Sequence, residues 1–131
     1  MRAFFLVFLF CAISNAQADL NWETYSKDKV QQNLGKKNII IYFWAEWCAP
    51  CQQLRKLTFI NGEVKMKLRD FLLLKVDCTE QTAAIEKIQD LYKVESLPVI
   101  VFYDKKGKLR SELQLKGFEP PLEFIRRINK L

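Results

Sequence analysis

The sequence predicts one α/β domain with a mixed central sheet and helices on both of its faces. Three observations predict it. Apolar runs rich in β-branched and aromatic residues recur at Ile39–Trp44, Phe71–Val76 and Val99–Tyr103, and such runs read as buried strands. Segments with helical spacing separate them, which calls for crossover connections. The last run is followed by Asp104-Lys105-Lys106-Gly107, a hairpin turn in which Gly107 takes positive φ.

In order along the chain, Trp22–Tyr25 suits a short edge strand. Ser26 is an N-cap for a helix over Lys27–Leu34, with Val30 and Leu34 four apart, and Gly35 stands at its stop. Lys36-Lys37-Asn38 turns into the first central strand. A helix follows over Gln52–Thr58, with Leu54 and Leu57 on its buried side. Asn61-Gly62 breaks it, and Glu63–Leu68 forms a second short helix with Val64 and Leu68 inward. The strand Phe71–Val76 is interrupted only by Lys75 and ends at Asp77-Cys78-Thr79. Thr82–Tyr92 is the cleanest helix, with Ala84, Ile85, Ile88, Leu91 and Tyr92 on one face. Beyond the hairpin turn, Leu109–Leu115 alternates and suits an edge strand. Gly117 precedes a last helix from about Pro121, with Leu122, Ile125 and Ile128 inward. The order β-α-β-α-β-α-β-β-α gives parallel pairing closed by one antiparallel hairpin.

Residues 1–18 are read as a signal peptide and 19–131 as the domain. Met1-Arg2 is a short positive start, Ala3–Ile13 is uncharged and apolar, and Ala16-Gln17-Ala18 offers small residues for cleavage after Ala18, with Ala16 the alternative. The apolar block is about eleven residues, short of the roughly twenty that span a bilayer. Phe10 stands where a lipoprotein signal needs a small residue before Cys11, so Cys11 leaves with the leader. The chain is then a free-standing, exported domain without a membrane segment of its own. Losing Arg2 takes the formal net charge from +6 to +5. Lys and Arg are mixed with Asp and Glu throughout, which suits a solvated basic surface, and no nucleic-acid motif is present. Half the residues are apolar, enough for a core that does not depend on disulfide staples.

The chemistry concentrates at Cys48-Ala49-Pro50-Cys51, where the first central strand hands over to a helix. Two cysteines at this spacing can close a small disulfide across the first helical turn. A thiol at a helix N-terminus is stabilised as thiolate by the partial positive charge there. Cys48 is therefore the attacking thiol, exposed at the helix start, and Cys51 the resolving one. A static disulfide and a metal site are the alternatives. Closing so short a loop restrains the unfolded chain little. A structural zinc site takes four Cys or His ligands, and the chain has no His. Haem attachment needs a His where Gln52 stands. No cofactor beyond the disulfide is expected. Cys78 remains as an odd thiol at a strand end, read as buried and inert, with a second redox role as the alternative.

Phe43-Trp44-Ala45-Glu46-Trp47-Cys48-Ala49-Pro50-Cys51, with Leu97-Pro98 before the third buried strand, resembles the thioredoxin family over nearly all of residues 19–131. Within it the chain is most similar to the C-terminal periplasmic domain of the DsbD type, on the cues Thr58-Phe59, Asn61-Gly62-Glu63-Val64, Phe102-Tyr103-Asp104 and Gly117-Phe118. The resemblance implies a thioredoxin fold and a periplasmic thiol:disulfide oxidoreductase. The favoured direction is reduction, from a membrane electron-donor reductase to the disulfides of partner proteins, by a monomer. An oxidase or isomerase, or a non-catalytic chaperone module, are the alternatives. The resemblance further implies that Pro98 is cis and packs against the disulfide, that the backbone around Leu97 pairs with a substrate strand, and that Ala49 and Pro50 tune the potential. Trp44 and Trp47 shield the thiols and offer a contact surface, with core packing the equal alternative for Trp44. The chain departs from the pattern twice. Members usually bury an Asp two residues before the first Trp of the motif, where this chain has Tyr42. DsbD-type domains carry a Glu four residues after the second Cys, where it has Arg55. Such acids handle protons for the inner thiol; Arg55 instead favours a thiolate by charge if it points inward.

Overall fold

Five strands make one sheet in a computed structural model that describes residues 19–131. The expected leader and Cys11 lie outside the described residues. The strands are β1 (Glu23–Thr24), β2 (Ile39–Trp44), β3 (Leu72–Asp77), β4 (Val99–Tyr103) and β5 (Leu115–Lys116), and their spatial order is β1-β3-β2-β4-β5. The helices are α1 (Lys27–Asn33), α2 (Ala49–Gln53), α3 (Gly62–Leu68), α4 (Ala83–Leu91) and α5 (Pro121–Ile128). Among the described residues no helix is long and apolar enough to cross a membrane.

β1 and β2 both run parallel to β3, whereas β2 and β4, and β4 and β5, are antiparallel. The sequence reading had parallel pairing for all three buried strands. A run buried on both faces has the same hydropathy in either direction, so nothing in Val99–Tyr103 reports its sense.

Alternation along β2 divides the core. Ile40 and Tyr42 pack with Cys51, Leu54, Val64, Leu68, Phe124, Ile125 and Ile128 beneath α2, α3 and α5. Ile39, Ile41 and Phe43 pack with Val30, Leu74, Val76, Val99 and Val101 beneath α1 and α4. Phe43, Phe102 and Phe124 are fully enclosed, each worth roughly 1.5–3 kcal/mol relative to exposure. Ser26, Asn61 and Thr82 cap α1, α3 and α4 through side-chain oxygens, residue types suited to the position; the Ser26 cap is the one the sequence predicts.

Three expectations about facing and one about a strand are corrected. Leu57 is 53% exposed while Thr58 and Phe59 are buried, because Leu54–Thr58 forms a π turn closed by the Phe59 N–H to the Leu54 carbonyl at 2.8 Å. The wider turn swings Leu57 outward and brings the next two residues in. In α5, Leu122 is 55% exposed and Phe124 is enclosed. Phe124, Ile128 and Ile125 span about 100° of the helix at its ordinary pitch, and Leu122 falls outside that arc. In α4 only Ile85 and Ile88 pack on the sheet, with Tyr92 just beyond the helix; Ala84 and Leu91 flank the stripe and stay exposed. Leu109–Leu115 is not one strand. Leu109 makes a single bridge to Tyr103, and a 3₁₀ turn over Ser111–Leu113 tucks Leu113 into the core before β5 begins.

Candidate active site

β2 delivers its last residues to the edge of the core, and the chain turns through Ala45-Glu46-Trp47 into α2. The following loop pins this turn. The Cys78 N–H donates to the Trp44 carbonyl (2.7 Å), the Glu46 N–H to Thr79 Oγ1 (3.0 Å) and Trp47 Nε1 to the Thr79 carbonyl (3.1 Å). Trp47 therefore lies fixed on the surface, 68% exposed.

Cys48 and Cys51 form a disulfide with Cα atoms 5.3 Å apart. Cys48 is the N-cap of α2, and its Sγ accepts the Cys51 N–H at 3.2 Å. Pro50 lies in the first turn, where a missing N–H costs nothing. The sulfur that would carry negative charge after reduction thus already faces a helix-terminal donor. The expectation of an exposed Cys48 is corrected: it is only 4% exposed. Folding of the sulfur against the first turn leaves Trp47 and Ala49 as the open surface of the motif, with Pro50 half-buried.

Cys51 adjoins a cavity of about 250 Å³ shared with Tyr42, Trp44, Arg55, Phe59 and Lys75. Tyr42 replaces an acid here with a committed donor: its hydroxyl donates to the Cys51 carbonyl at 3.2 Å. Its ring packs against Trp22 and Phe59. Burial pushes the phenol well above its ordinary range, and the Arg55 charge offsets only part of that. Arg55 itself is exposed at the cavity rim. Trp44 packs on the core with its Nε1 buried and unpartnered among the described residues.

The Leu97–Pro98 peptide is cis. Phe43 pairs with Val99, so Pro98 stands at the end of β2 from which the cysteine loop departs. Leu97 is half-buried and Pro98 buried. Cys78 is not brought to this site. It packs on the opposite face of the sheet, beside Val76 and Tyr92. Its thiol is pushed up from 9.0 to about 11, first by burial and further by Asp77, against hydrogen bonds from Gln89 and Trp44. Among the described residues no group of three His, Cys, Asp or Glu side chains is placed to hold a metal.

Three residues to which the sequence reading gives no site role support the surroundings of the site. Thr79 holds the Trp47 loop, and its position just past a strand end was the only signal. Lys75 breaks an otherwise apolar strand, and its register opposite Tyr42 explains why it reaches the cavity. Thr58, fully enclosed, donates to the Glu119 carbonyl at 2.6 Å; a polar residue in a helical stripe of leucines was its signal.

The thioredoxin family model matches residues 18–128. The thiol:disulfide interchange protein DsbD of Actinobacillus pleuropneumoniae is 30% identical over 105 residues, 80% of this chain and 18% of the relative. That of Vibrio vulnificus strain YJ016 is 33% identical over 130 residues, 90% of this chain and 22% of the relative. The chain thus spans about a fifth of the length of these curated relatives. The oxidised C-terminal domain of Neisseria meningitidis DsbD superposes with a TM-score of 0.67 at 21% identity, covering 79% of this chain and 87% of that one. A Thermus thermophilus thioredoxin gives 0.70 at 23% identity, covering 86% and 87%. At these identities the structural likeness shows the fold.

Proposed function

The chain belongs to the thioredoxin family, and from that premise we propose that it is a thiol:disulfide oxidoreductase of the periplasm, working as a reductase of partner proteins. The observation that carries this reading is the Cys48–Cys51 disulfide at the start of α2, with Cys48 Sγ held against the Cys51 N–H. In the reduced protein, the Cys48 thiolate attacks one sulfur of a partner disulfide. A Cys48–partner S–S bond forms, and the partner's other sulfur leaves as a thiolate that takes up a proton. Cys51 loses its proton and attacks Cys48 Sγ. The Cys48–Cys51 disulfide forms, the mixed bond breaks, and the partner leaves with two electrons gained.

The electrons return from a dithiol donor, for which a membrane reductase is the fitting class. The disulfide is the only redox group this cycle needs. Export through cleavage after Ala18 would place it in an oxidising compartment, where a monomer acts on protein disulfides. Trp47, Ala49 and the Leu97–Pro98 segment form the contact surface in this reading, with Pro50 shaping the first turn.

Reduction of insulin by dithiothreitol, catalysed by the wild type and not by a Cys48→Ala, Cys51→Ala variant, tests it. Equal activity of the two proteins would favour a binding module that does no chemistry. The in-cell redox state of the pair fixes direction: mostly dithiol for a reductase, mostly disulfide for an oxidase.

A further inference from the structure

The site has two anchors on separate parts of the chain, the cysteine pair at the start of α2 and Leu97–Pro98 at the start of β4. One short segment, residues 117–119, bonds to the second anchor and to the far end of the helical stretch that begins at the first. The Gly117 N–H donates to the Pro98 carbonyl at 3.0 Å. Two residues on, the Glu119 carbonyl accepts the Thr58 hydroxyl at 2.6 Å. Thr58 is the last residue of the π turn that continues α2 and has no exposure to solvent.

The segment is itself clamped. Both Glu119 carboxylate oxygens are held by Arg127, through Nε at 2.8 Å and Nη2 at 2.7 Å, and Arg127 Nη1 donates to the Leu113 carbonyl at 2.9 Å. Such a two-point guanidinium–carboxylate pair fixes geometry as well as charge. The side chains of Arg127 and Glu119 are only 23% and 14% exposed, so water competes weakly.

We propose that Thr58 is a positioning residue: through Glu119 and Gly117 its hydroxyl sets the spacing between the cysteine helix and the Leu97–Pro98 strand start. The inference rests on the oxidoreductase reading and deepens it toward substrate choice. A polypeptide disulfide engages both anchors, its sulfur at Cys48 and its backbone along Leu97. A small disulfide engages Cys48 alone. Loss of the brace weakens productive binding of the first and leaves the second untouched, because nothing bonded to Cys48 Sγ or to the first turn of α2 changes.

The test compares wild type, Thr58→Val and Thr58→Ser, each checked for native folding by circular dichroism and thermal melting. Insulin reduction gives KM and kcat, and the oxidation of the dithiol protein by 5,5′-dithiobis(2-nitrobenzoate) gives the small-disulfide rate. Valine keeps the shape and deletes the hydrogen bond. It should raise the insulin KM about fivefold, the equivalent of one hydrogen bond, with kcat and the small-disulfide rate unchanged. Serine should restore the wild-type KM. A folded Thr58→Val protein with unchanged KM, an equal loss on both substrates, or a failure of serine to restore overturns the proposal. Should Thr58→Val not fold, Arg127→Gln releases the same clamp from its other side and must raise the insulin KM alone; no rise there also overturns it. A wild type inactive on insulin sinks the reductase reading itself. A wild type active on insulin, with variants indistinguishable from it, sinks only the role of Thr58.

Discussion

The Tyr42 hydroxyl donates to the Cys51 carbonyl, 3.2 Å away in the core. A strand residue that could have been a proton acceptor for the inner thiol is instead a strut beneath the first turn of α2. Tyr42→Phe removes the donor and leaves the ring contacts with Trp22 and Phe59. It should cost about 1 kcal/mol of stability, measured by urea unfolding, and leave insulin reduction within about twofold of wild type. A drop of tenfold or more would mean that the hydroxyl takes part in the chemistry.

The reverse change restores an acid. A phenol lifted further by burial holds its proton at neutral pH and cannot accept that of Cys51. Resolution then relies on solvent or on the thiolate released on the partner, because Cys48 Sγ is bonded in the mixed disulfide and cannot take the proton. Tyr42→Asp should raise the rate of mixed-disulfide resolution severalfold near pH 7, followed by stopped flow, while lowering stability by a few kcal/mol through burial of a charge. An unchanged or slower rate in the folded variant would show that the protein handles this proton elsewhere.

Much of this arrangement was legible in the sequence because it is carried by residue identity. Ser26 caps α1 as its identity predicts, while Asn61 and Thr82, read as a helix break and a helix start, turn out to cap α3 and α4; the placement of Cys48 and Cys51 follows from a buried strand meeting a helix start. What escaped depends on pitch and on long-range register. Leu57 points outward only because a π turn replaces α geometry, and no residue in Leu54–Thr58 announces that change. The direction of β4 is set by pairing with β2, which its own composition does not encode. Cys48 is covered, against expectation, because a sulfur folded back to cap its own helix lies under that turn.

Cys78 should be silent. With its thiol at about 11 and its side chain enclosed on the far face of the sheet, Cys78 should add nothing to the thiols of the processed, reduced native protein that react with iodoacetamide at pH 8, and all three should react after denaturation. Because the folded value lies above the ordinary one, the unfolded chain gives up this proton first. The group's contribution is complete below about pH 9 and is lost as pH rises toward about 11. Cys78→Ala should therefore flatten the alkaline fall in stability. Three fast-reacting thiols in the native protein would contradict this placement.

Processing is checked by mass. Protein recovered from the periplasm should begin at Asp19, whose carboxylate pairs with Lys65 at 2.9 Å. Intact mass spectrometry showing a retained segment 1–18, or a lipid on Cys11, would contradict export by cleavage after Ala18.

Trapping of mixed disulfides with partner proteins tests the division of labour between the two cysteines most directly. Cys51→Ser protein, expressed in the periplasm and resolved on non-reducing gels, should accumulate reductant-sensitive adducts, because Cys48 attacks and nothing resolves the bond. Cys48→Ser protein should accumulate none. Adducts formed by Cys48→Ser alone would reverse the assignment of attacking and resolving thiols, and adducts formed by neither variant would contradict the account of the pair as a working dithiol.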